Sequence, residues 1–290
     1  MAVCKSYIKK KYKGILYIVP TPIGNLSDIT YRAVEILKNV HIIAAENIHH
    51  TTILLNHFDI KNYIIAMNKH NEKKQSNYLI EQLKKGKNIA LVSNAGTPVI
   101  NDPGYFLVVE CHLNDIQITP LPGACAAITA IVASGISAKR FCYEGFLPSK
   151  KKERCNLLKS LRKEERTLIF YETKHRILES IQDIIEEIDD NRYITLAKEI
   201  TKKWEFIYKE KAKIILEWVQ HNKNSYKGET VIIIEGFKPP KYKLISQKEI
   251  NTFNILRAFL TLKQSVYITS QIHKTKKNNL YQYAIKKEEK

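Results

Sequence analysis

Four short loops rich in Gly, Pro and Ala could bind a ligand through their main chain. They are residues 20–25, 93–98 with 101–104, 120–127 and 145–148, and each follows an apolar run with strand character. Ligands of open α/β sheets bind beyond the carboxyl ends of the strands. Small residues there let a ligand approach the backbone closely. Several such loops together favour a ligand site, although the composition of each loop alone is also typical of an ordinary turn.

Familiar phosphate-binding and metal-binding patterns are missing from the sequence. It contains neither G-x-G-x-x-G nor G-x-x-x-x-G-K-[ST], the signatures of dinucleotide and P-loop sites. The five cysteines are odd in number and form no C-x-x-C pair, so we expect free thiols rather than disulfides or zinc ligands. The histidines also lack the spacing of metal ligands, and we expect no metal site.

Alternating strands and helices must position these loops. In the first half, strands are predicted at 15–19, 41–45, 89–92 and 116–119. A helix with Ser27 or Asp28 as its N-cap is predicted to follow the first strand, with further helices at 79–83, closed by Gly86, and at 106–113. In the second half, strands are predicted at 141–144, 167–171, 193–197, 206–208 and 230–235. Helices are predicted there at 124–134, 151–162 and 175–188. This alternation, twice over, predicts two α/β units with parallel or mixed sheets.

The 290 residues are enough for more than one domain. We predict a basic arm at 1–13, an N-terminal α/β domain at 14–121 and a C-terminal α/β domain at 122–240. The remaining segment, 241–290, has no strand pattern and is predicted to form a helical, helix-turn-helix-like tail with helices at 247–260, 262–272 and 277–285.

The net charge of +18 favours a polyanionic partner, because Lys and Arg displace counterions from phosphates. A biased composition rich in Lys, Ile, Asn and Tyr would produce the same charge without a partner. Residues 150–152 with Arg154 could steer RNA phosphates or simply form a solvated helix start. No apolar run of 18 residues and no secretory signal is present, so we expect a cytoplasmic protein.

A set of motifs resembles the family of ribosomal RNA small subunit methyltransferases I, in the tetrapyrrole methylase-like superfamily. The motifs are TPIGNLSDIT at 21–30, AGTP at 95–98, DPGY at 102–105, LPG at 121–123, EGFLP at 144–148, FYE at 170–172 and EITK at 199–202. The resemblance covers nearly the whole chain after residue 14. It implies two consecutive α/β domains of the class III methyltransferase type with S-adenosyl-L-methionine bound in the cleft. It also implies a homodimer, and 2′-O-methylation of a cytidine ribose in the decoding region of 16S rRNA or the 30S subunit.

The resemblance implies a cofactor site that holds its ligand largely through main-chain groups. Its residues are Pro22, Ser93, Ala95, Gly96, Thr97, Cys125, Ala126, Tyr171, Ala197 and Gly228. At Asn47 and Asn94 the chain departs from the family, which has Asp at both positions. Asn keeps the shape and the hydrogen bonds of Asp but not its charge.

A ribose 2′-hydroxyl is a poor nucleophile, and a base that accepts its proton assists the transfer. The polar groups expected near the cleft, and so the catalytic candidates, are Glu46, His70, Asp102, Lys198 and Glu199. Structural roles compete with catalysis at each of them. Glu46 could brace a loop or cap a helix, His70 could be a surface histidine, and Asp102 could cap a helix that begins at Pro103. Lys198 and Glu199 could form a solvated strand end.

Two other functions stay open on sequence grounds. One is a small-molecule methylase of the tetrapyrrole type, whose planar acidic substrate would also suit a basic protein. The other is a non-catalytic RNA-binding protein of ribosome assembly. The extra tail and the motif at 21–30 favour rRNA methylation over the first alternative.

Overall fold

The computed structural model describes residues 13–222, 228–239 and 245–288. All but the last residue of the predicted basic arm therefore lies outside the described residues. The chain contacts define two compact units, Met1–Gly236 and Phe237–Lys290. Within the described residues, no helix has the length and apolar character needed to span a membrane.

The first sheet of unit one is wholly parallel. Its strands run in the order β3-β2-β4-β1-β5, and every pair is parallel. The strands are β1 (Leu16–Ile18), β2 (Ile42–Ala45), β3 (Ile64–Ala66), β4 (Ile89–Val92) and β5 (Ile118–Pro120). The helices that connect them are α1 (Tyr31–Asn39), α2 (Ile48–His57), α3 (Glu72–Lys84) and α4 (Tyr105–Leu113).

The strands of this sheet are apolar because helices cover both faces. Every residue of β2 and of β4 is buried. One apolar cluster, which includes Leu79 and Leu107, covers one face, and a second cluster with Leu37 and Leu55 covers the other. Strands buried on both faces have near-continuous apolar runs, and this is the pattern that predicted them.

The second sheet of unit one is mixed, in the order β6-β7-β10-β8-β9. β6 and β7 are parallel, whereas β10 lies antiparallel to both β7 and β8, and β9 is antiparallel to β8. The strands are β6 (Phe141–Phe146), β7 (Thr167–Glu172), β8 (Tyr193–Lys198), β9 (Phe206–Lys211) and β10 (Thr230–Ile234). The helices are α5 (Ala126–Ala133), α6 (Lys151–Leu161), α7 (Ile177–Glu187) and α8 (Ala212–His221).

The described residues of unit two form three helices, as the sequence predicts. They are α9 (Gln247–Arg257), α10 (Leu262–Ile272) and α11 (Lys277–Glu288), packed around the buried Phe253, Val266 and Leu280. The first two begin with capping boxes, in which an N-cap hydroxyl and the side chain three residues later satisfy each other's backbone amides.

One prediction about local structure needs correction, and three elements were not predicted. The N-cap of α1 is Thr30 rather than Ser27 or Asp28, because a 3₁₀ turn occupies Leu26–Asp28. The sequence interpretation also missed α2, β3 and α8. β3 is only three residues long, but α8 has a clear apolar face that the pattern could have revealed.

Arg154 is not a surface cation. Its side chain is 1% exposed, and its Nε lies 2.6 Å from Oδ2 of the buried Asp183 on α7. The role suggested for this residue in steering phosphates is therefore wrong. Lys150, Lys151 and Lys152 remain exposed at the start of α6.

Candidate active site

The Gly- and Pro-rich loops after β1 and β4 are joined by main-chain hydrogen bonds. Thr21 and Gly96 each donate an N–H to the other's carbonyl oxygen, at 2.9 Å in both directions. The Thr97 hydroxyl then donates to the Ala124 carbonyl oxygen at 3.0 Å and ties in the loop before α5. Gly96 has φ +75°, and a Cβ there would meet Ile23 and the Ala124 carbonyl. Because L side chains rarely adopt this φ, the position favours glycine.

These loops border a cavity of about 820 Å³. It lies where the carboxyl ends of β1, β2 and β4 face the carboxyl ends of β7 and β8, in the size range of pockets for small ligands. Most of the residues proposed for the cofactor line it: Ala95, Gly96, Thr97, Cys125, Ala126, Tyr171, Ala197 and Gly228.

Pro22 and Ser93 do not line the cavity but lie in its supporting loops. Ser93 is buried, and its hydroxyl lies 3.2 Å from the carbonyl oxygens of both Ala95 and Gly96. The Thr21 hydroxyl donates in turn to the Ser93 carbonyl. Ser93 therefore holds the shape of the loop from beneath rather than facing a ligand.

Two carboxylates, Glu46 and Asp102, share the cavity wall. Burial of Asp102 raises the pKa of its carboxyl group, and the nearby negative charge of Glu46 raises it further, against smaller opposing effects of Ser93 and Lys69. Glu46 also braces the adjoining loop, since its Oε2 accepts a hydrogen bond from the Asn94 amide at 3.3 Å.

The helix-capping alternative for Asp102 is wrong. The N-cap of α4 is Gly104, and the helix begins at Tyr105 rather than at Pro103. Two amides at this helix start are bound by Glu72, whose Oε1 accepts from Gly104 N at 2.8 Å and from Phe106 N at 3.1 Å. The Asp102 carboxylate is thus not needed as the helix cap.

Glu199 also lines the cavity, but its carboxylate is engaged. Its Oε1 accepts from the Glu229 amide at 2.8 Å and from Lys202 Nζ at 3.1 Å. Burial alone would raise the pKa of Glu199, but these hydrogen bonds outweigh it and the net pKa is lowered. Gly228, with φ +84°, leaves room for this carboxylate, because a Cβ there would collide with it.

Lys198 and His70 lie outside the cavity lining. Lys198, the last residue of β8, is buried, and this burial lowers the pKa of its ammonium group even though Glu199 opposes the shift. His70 is exposed in the turn before α3. The structure therefore brings together Glu46, Asp102 and Glu199 but not these two.

The sequence interpretation missed an aromatic wall of the cavity. The rings of Tyr143 and Phe146 lie edge to face with Tyr171, with centroids 5.1 and 5.4 Å away. Asn101 donates a hydrogen bond to the Tyr143 hydroxyl at 2.6 Å, and the Tyr171 hydroxyl accepts from the Ala127 amide. Phe146 belongs to the fourth Gly- and Pro-rich loop, so that loop could have indicated an aromatic side chain at the site.

A loop with an exposed lysine and histidine follows β7 at another edge of the cavity. Lys174 and His175 are exposed and contribute to the lining. The loop is anchored by Glu172, whose fully buried carboxylate accepts from the Thr173 amide, from the Arg176 guanidinium and from the Ser180 hydroxyl. Lys174 and His175 are therefore held at the cavity on an anchored loop.

Asn47 and Asn94, the two positions where the family has Asp, have different structural roles. Asn47 is the N-cap of α2, where its side chain accepts from the His50 amide, a role that Asn performs as well as Asp. Asn94 lines the cavity, and its buried Oδ1 has no hydrogen-bond partner among the described groups. This buried acceptor is left unsatisfied in the described part of the structure.

Comparison with known proteins identifies the fold and the relatives. Residues 15–215 match the family model described as tetrapyrrole (corrin/porphyrin) methylases. A ribosomal RNA small subunit methyltransferase I from Buchnera aphidicola subsp. Schizaphis graminum is 71% identical over 278 residues, which cover 96% of this chain and 98% of that protein. The Escherichia coli O157:H7 protein of the same name is 49% identical, over 95% of this chain and 96% of its own.

Solved structures support the fold alone. The crystal structure of the methyltransferase CobJ superposes with a TM-score of 0.58 at 16% identity, over 79% of this chain and 97% of that one. At this identity the likeness concerns the arrangement of strands and helices rather than the substrate.

Proposed function

Because the chain belongs to the tetrapyrrole methylase family, and within it to the ribosomal RNA small subunit methyltransferases I, we propose that it methylates the ribose 2′-oxygen of a cytidine in the decoding region of 16S rRNA. The identity to the Buchnera protein along nearly the full length of both chains is the observation that carries this proposal. The methyl donor in the proposal is S-adenosyl-L-methionine.

The cavity has features that suit this donor. Its volume of about 820 Å³ accommodates a molecule of that size, and its lining of Gly, Ala and Thr loops offers main-chain groups at close range. The bound donor supplies an already activated methyl group on a sulfonium, so the protein's task is mainly alignment of the 2′-oxygen.

We assign proton removal to Asp102. The 2′-oxygen gains the methyl carbon and gives its proton to the Asp102 carboxylate, while the sulfonium leaves as a neutral thioether. The raised pKa of Asp102 makes it a better base than an ordinary Asp. Glu199, by contrast, is held anionic by Lys202 and the Glu229 amide and has little tendency to take a proton.

RNA recognition is assigned to the loop after β7 at the cavity. Lys174 and His175 lie on the anchored loop after β7, where they can contact the phosphates beside the target ribose. The net charge of +18 strengthens the attraction of the whole chain for RNA. The proposal also includes a homodimer. It includes a cytoplasmic location, since ribosomal RNA of bacteria is a cytoplasmic substrate.

One labelling experiment tests the function. The purified protein is incubated with methyl-labelled donor and, in separate reactions, undermethylated small subunits, free rRNA and a tetrapyrrole precursor. We expect label on the small-subunit RNA, at a ribose 2′-oxygen by nuclease mapping. Label on the tetrapyrrole alone would overturn the proposal, and donor binding without transfer to any RNA would favour a non-catalytic assembly protein.

A further inference from the structure

The loop between β8 and β9 carries a tryptophan that faces solvent beside the cavity. Trp204 is 74% exposed, although tryptophan is highly buried on average. Its ring contact in the structure is the Lys203 ammonium group, 5.3 Å from the ring centroid. The proposed catalysis uses neither residue.

This loop is held in a defined shape. Glu199 and Thr201 both have positive φ, +48° and +67°, a conformation that costs a non-glycine residue free energy and persists only where its surroundings impose it. The Thr201 amide donates to Glu205 Oε2 at 2.6 Å, and Lys202 Nζ bridges the carboxylates of Glu199 and Glu229 at 3.1 Å each. The backbone on both sides of Lys203 and Trp204 is therefore constrained.

The same loop borders the cavity. Ile200 and Lys202 are among the lining residues, and Trp204 follows Lys202 by two positions. Lys202 also packs against Gly24 in the loop after β1, so closely that a Cβ at Gly24 would lie 2.5 Å from its Cγ. Trp204 is thus attached to the cavity wall by a short, constrained segment.

A flat exposed ring paired with a cation has the chemistry of a single-stranded RNA contact. Nucleobases stack on aromatic side chains without regard to sequence, and a neighbouring cation binds the phosphate that follows the base. We propose that Trp204 stacks on an rRNA base next to the nucleotide being methylated, and that Lys203 contacts the adjoining backbone. This inference rests on the proposed function and adds a specific RNA-positioning residue to it.

Charge favours RNA over a second copy of this chain as the occupant. Two lysines, Lys174 and Lys203, are exposed on the two loops that flank this part of the cavity, in a chain of net charge +18, and the exposed carboxylate of Glu205 accepts a hydrogen bond from the Thr201 amide. RNA phosphates would be attracted to these lysines, whereas a second copy would bring the same lysines to this surface, so we expect the proposed homodimer to pair through another face.

Binding and turnover of variants test the proposal. With undermethylated small subunits as substrate, Trp204→Ala should raise KM on the order of 10-fold, the effect of losing one stacked base, with kcat changed little. Trp204→Phe should restore most of the affinity, because a smaller aromatic ring still stacks. Binding of the methyl donor should be equal in all three proteins, which separates RNA contact from misfolding.

Tyr63 provides a matched control. It is 60% exposed but precedes β3, at the amino-terminal edge of the first sheet, whereas the cavity lies at the carboxyl edge. Tyr63→Ala should leave KM unchanged. An unchanged KM in Trp204→Ala, or an equal loss of donor affinity in that variant, would overturn the inference.

Fluorescence gives a second readout that does not need turnover. The chain has two tryptophans, and Trp218 is stacked on Phe206 with centroids 5.2 Å apart. A short single-stranded RNA containing cytidine should quench the wild-type emission, and Trp204→Phe should abolish that quenching. Emission that changes with protein concentration and not with RNA would place a second copy on Trp204 and overturn the inference. If no RNA is methylated but this quenching is seen, the proposed function fails while the stacking contact stands.

Discussion

At the scale of single residues, the carboxylates of the cavity differ in their hydrogen bonds, their burial and their pKa shifts. Glu199 is saturated by a backbone amide and a lysine, and its pKa is lowered. Asp102 is partly buried near Glu46, and its pKa is raised. Two carboxylates whose surroundings move their pKa values in opposite directions are suited to different roles, and here only Asp102 is suited to accept a proton.

A pH profile should reveal this difference. As a base, Asp102 must be deprotonated, so activity should rise with pH through its raised pKa. Glu46→Gln removes the neighbouring negative charge and should lower the pKa of Asp102, which moves the acid limb of kcat/KM to lower pH. Asp102→Asn should reduce kcat by on the order of 10²- to 10⁴-fold with donor binding retained.

The control for this prediction is Glu35→Gln, a change at an exposed carboxylate of α1 that does not line the cavity. Its pH profile should match the wild type. Full activity of Asp102→Asn would exclude Asp102 as the base.

At the scale of secondary-structure elements, a buried ion pair joins α6 to α7. Arg154 and Asp183 are 1% and 2% exposed, and Arg154 also donates to the Pro148 carbonyl oxygen at the end of the fourth loop. The pair thus connects two helices to a segment that continues into the cavity wall at Phe146. Its position indicates a structural role rather than RNA binding.

Breaking this pair should destabilise the protein. Arg154→Leu leaves the Asp183 charge buried without its main partner and should lower the free energy of unfolding by about 3–5 kcal/mol, measured by denaturant titration. The double variant Arg154→Leu with Asp183→Leu should recover much of the loss, because neither charge is then stranded. Arg166→Leu, at an ion pair with a partly exposed arginine, should have a much smaller effect. Equal stability of Arg154→Leu and the wild type would contradict the structural assignment.

At the scale of the whole molecule, positive charge is the dominant property. The excess of 47 Lys and Arg over 29 Asp and Glu suits attraction to a long polyanion. The cavity itself, however, is lined by carboxylates and aromatic rings as well as by lysines. We therefore expect the charge to govern RNA binding but not donor binding.

Salt should separate the two binding events. The logarithm of the RNA association constant should fall linearly with the logarithm of salt concentration, with a slope of about −0.7 per phosphate contacted on a single strand. Affinity for the methyl donor, measured by calorimetry in the same series, should change little. RNA binding that is insensitive to salt would show that the surface charge reflects composition rather than recognition.

The sequence by itself determined the alternation of strands and helices and the loops that form the site. Apolar runs such as Ile89–Val92 report burial on both faces, and the Gly and Pro residues mark the loop positions, because both signals depend on local chemistry. For this reason the fold class, with two α/β sheets and a helical tail, could be predicted, and the structure confirms it. The motif resemblance named the proposed cofactor residues, and most of them line one cavity in the structure.

Only the tertiary structure decided which polar groups meet. Glu46 and Asp102 are separated by more than fifty residues, and their proximity comes from parallel strands that end at the same edge. The burial of Arg154 by α7, the exposure of His70 and the placement of Tyr143 against Tyr171 likewise depend on contacts between distant segments. Burial and charge–charge distances are set by packing, so no local pattern could have predicted them.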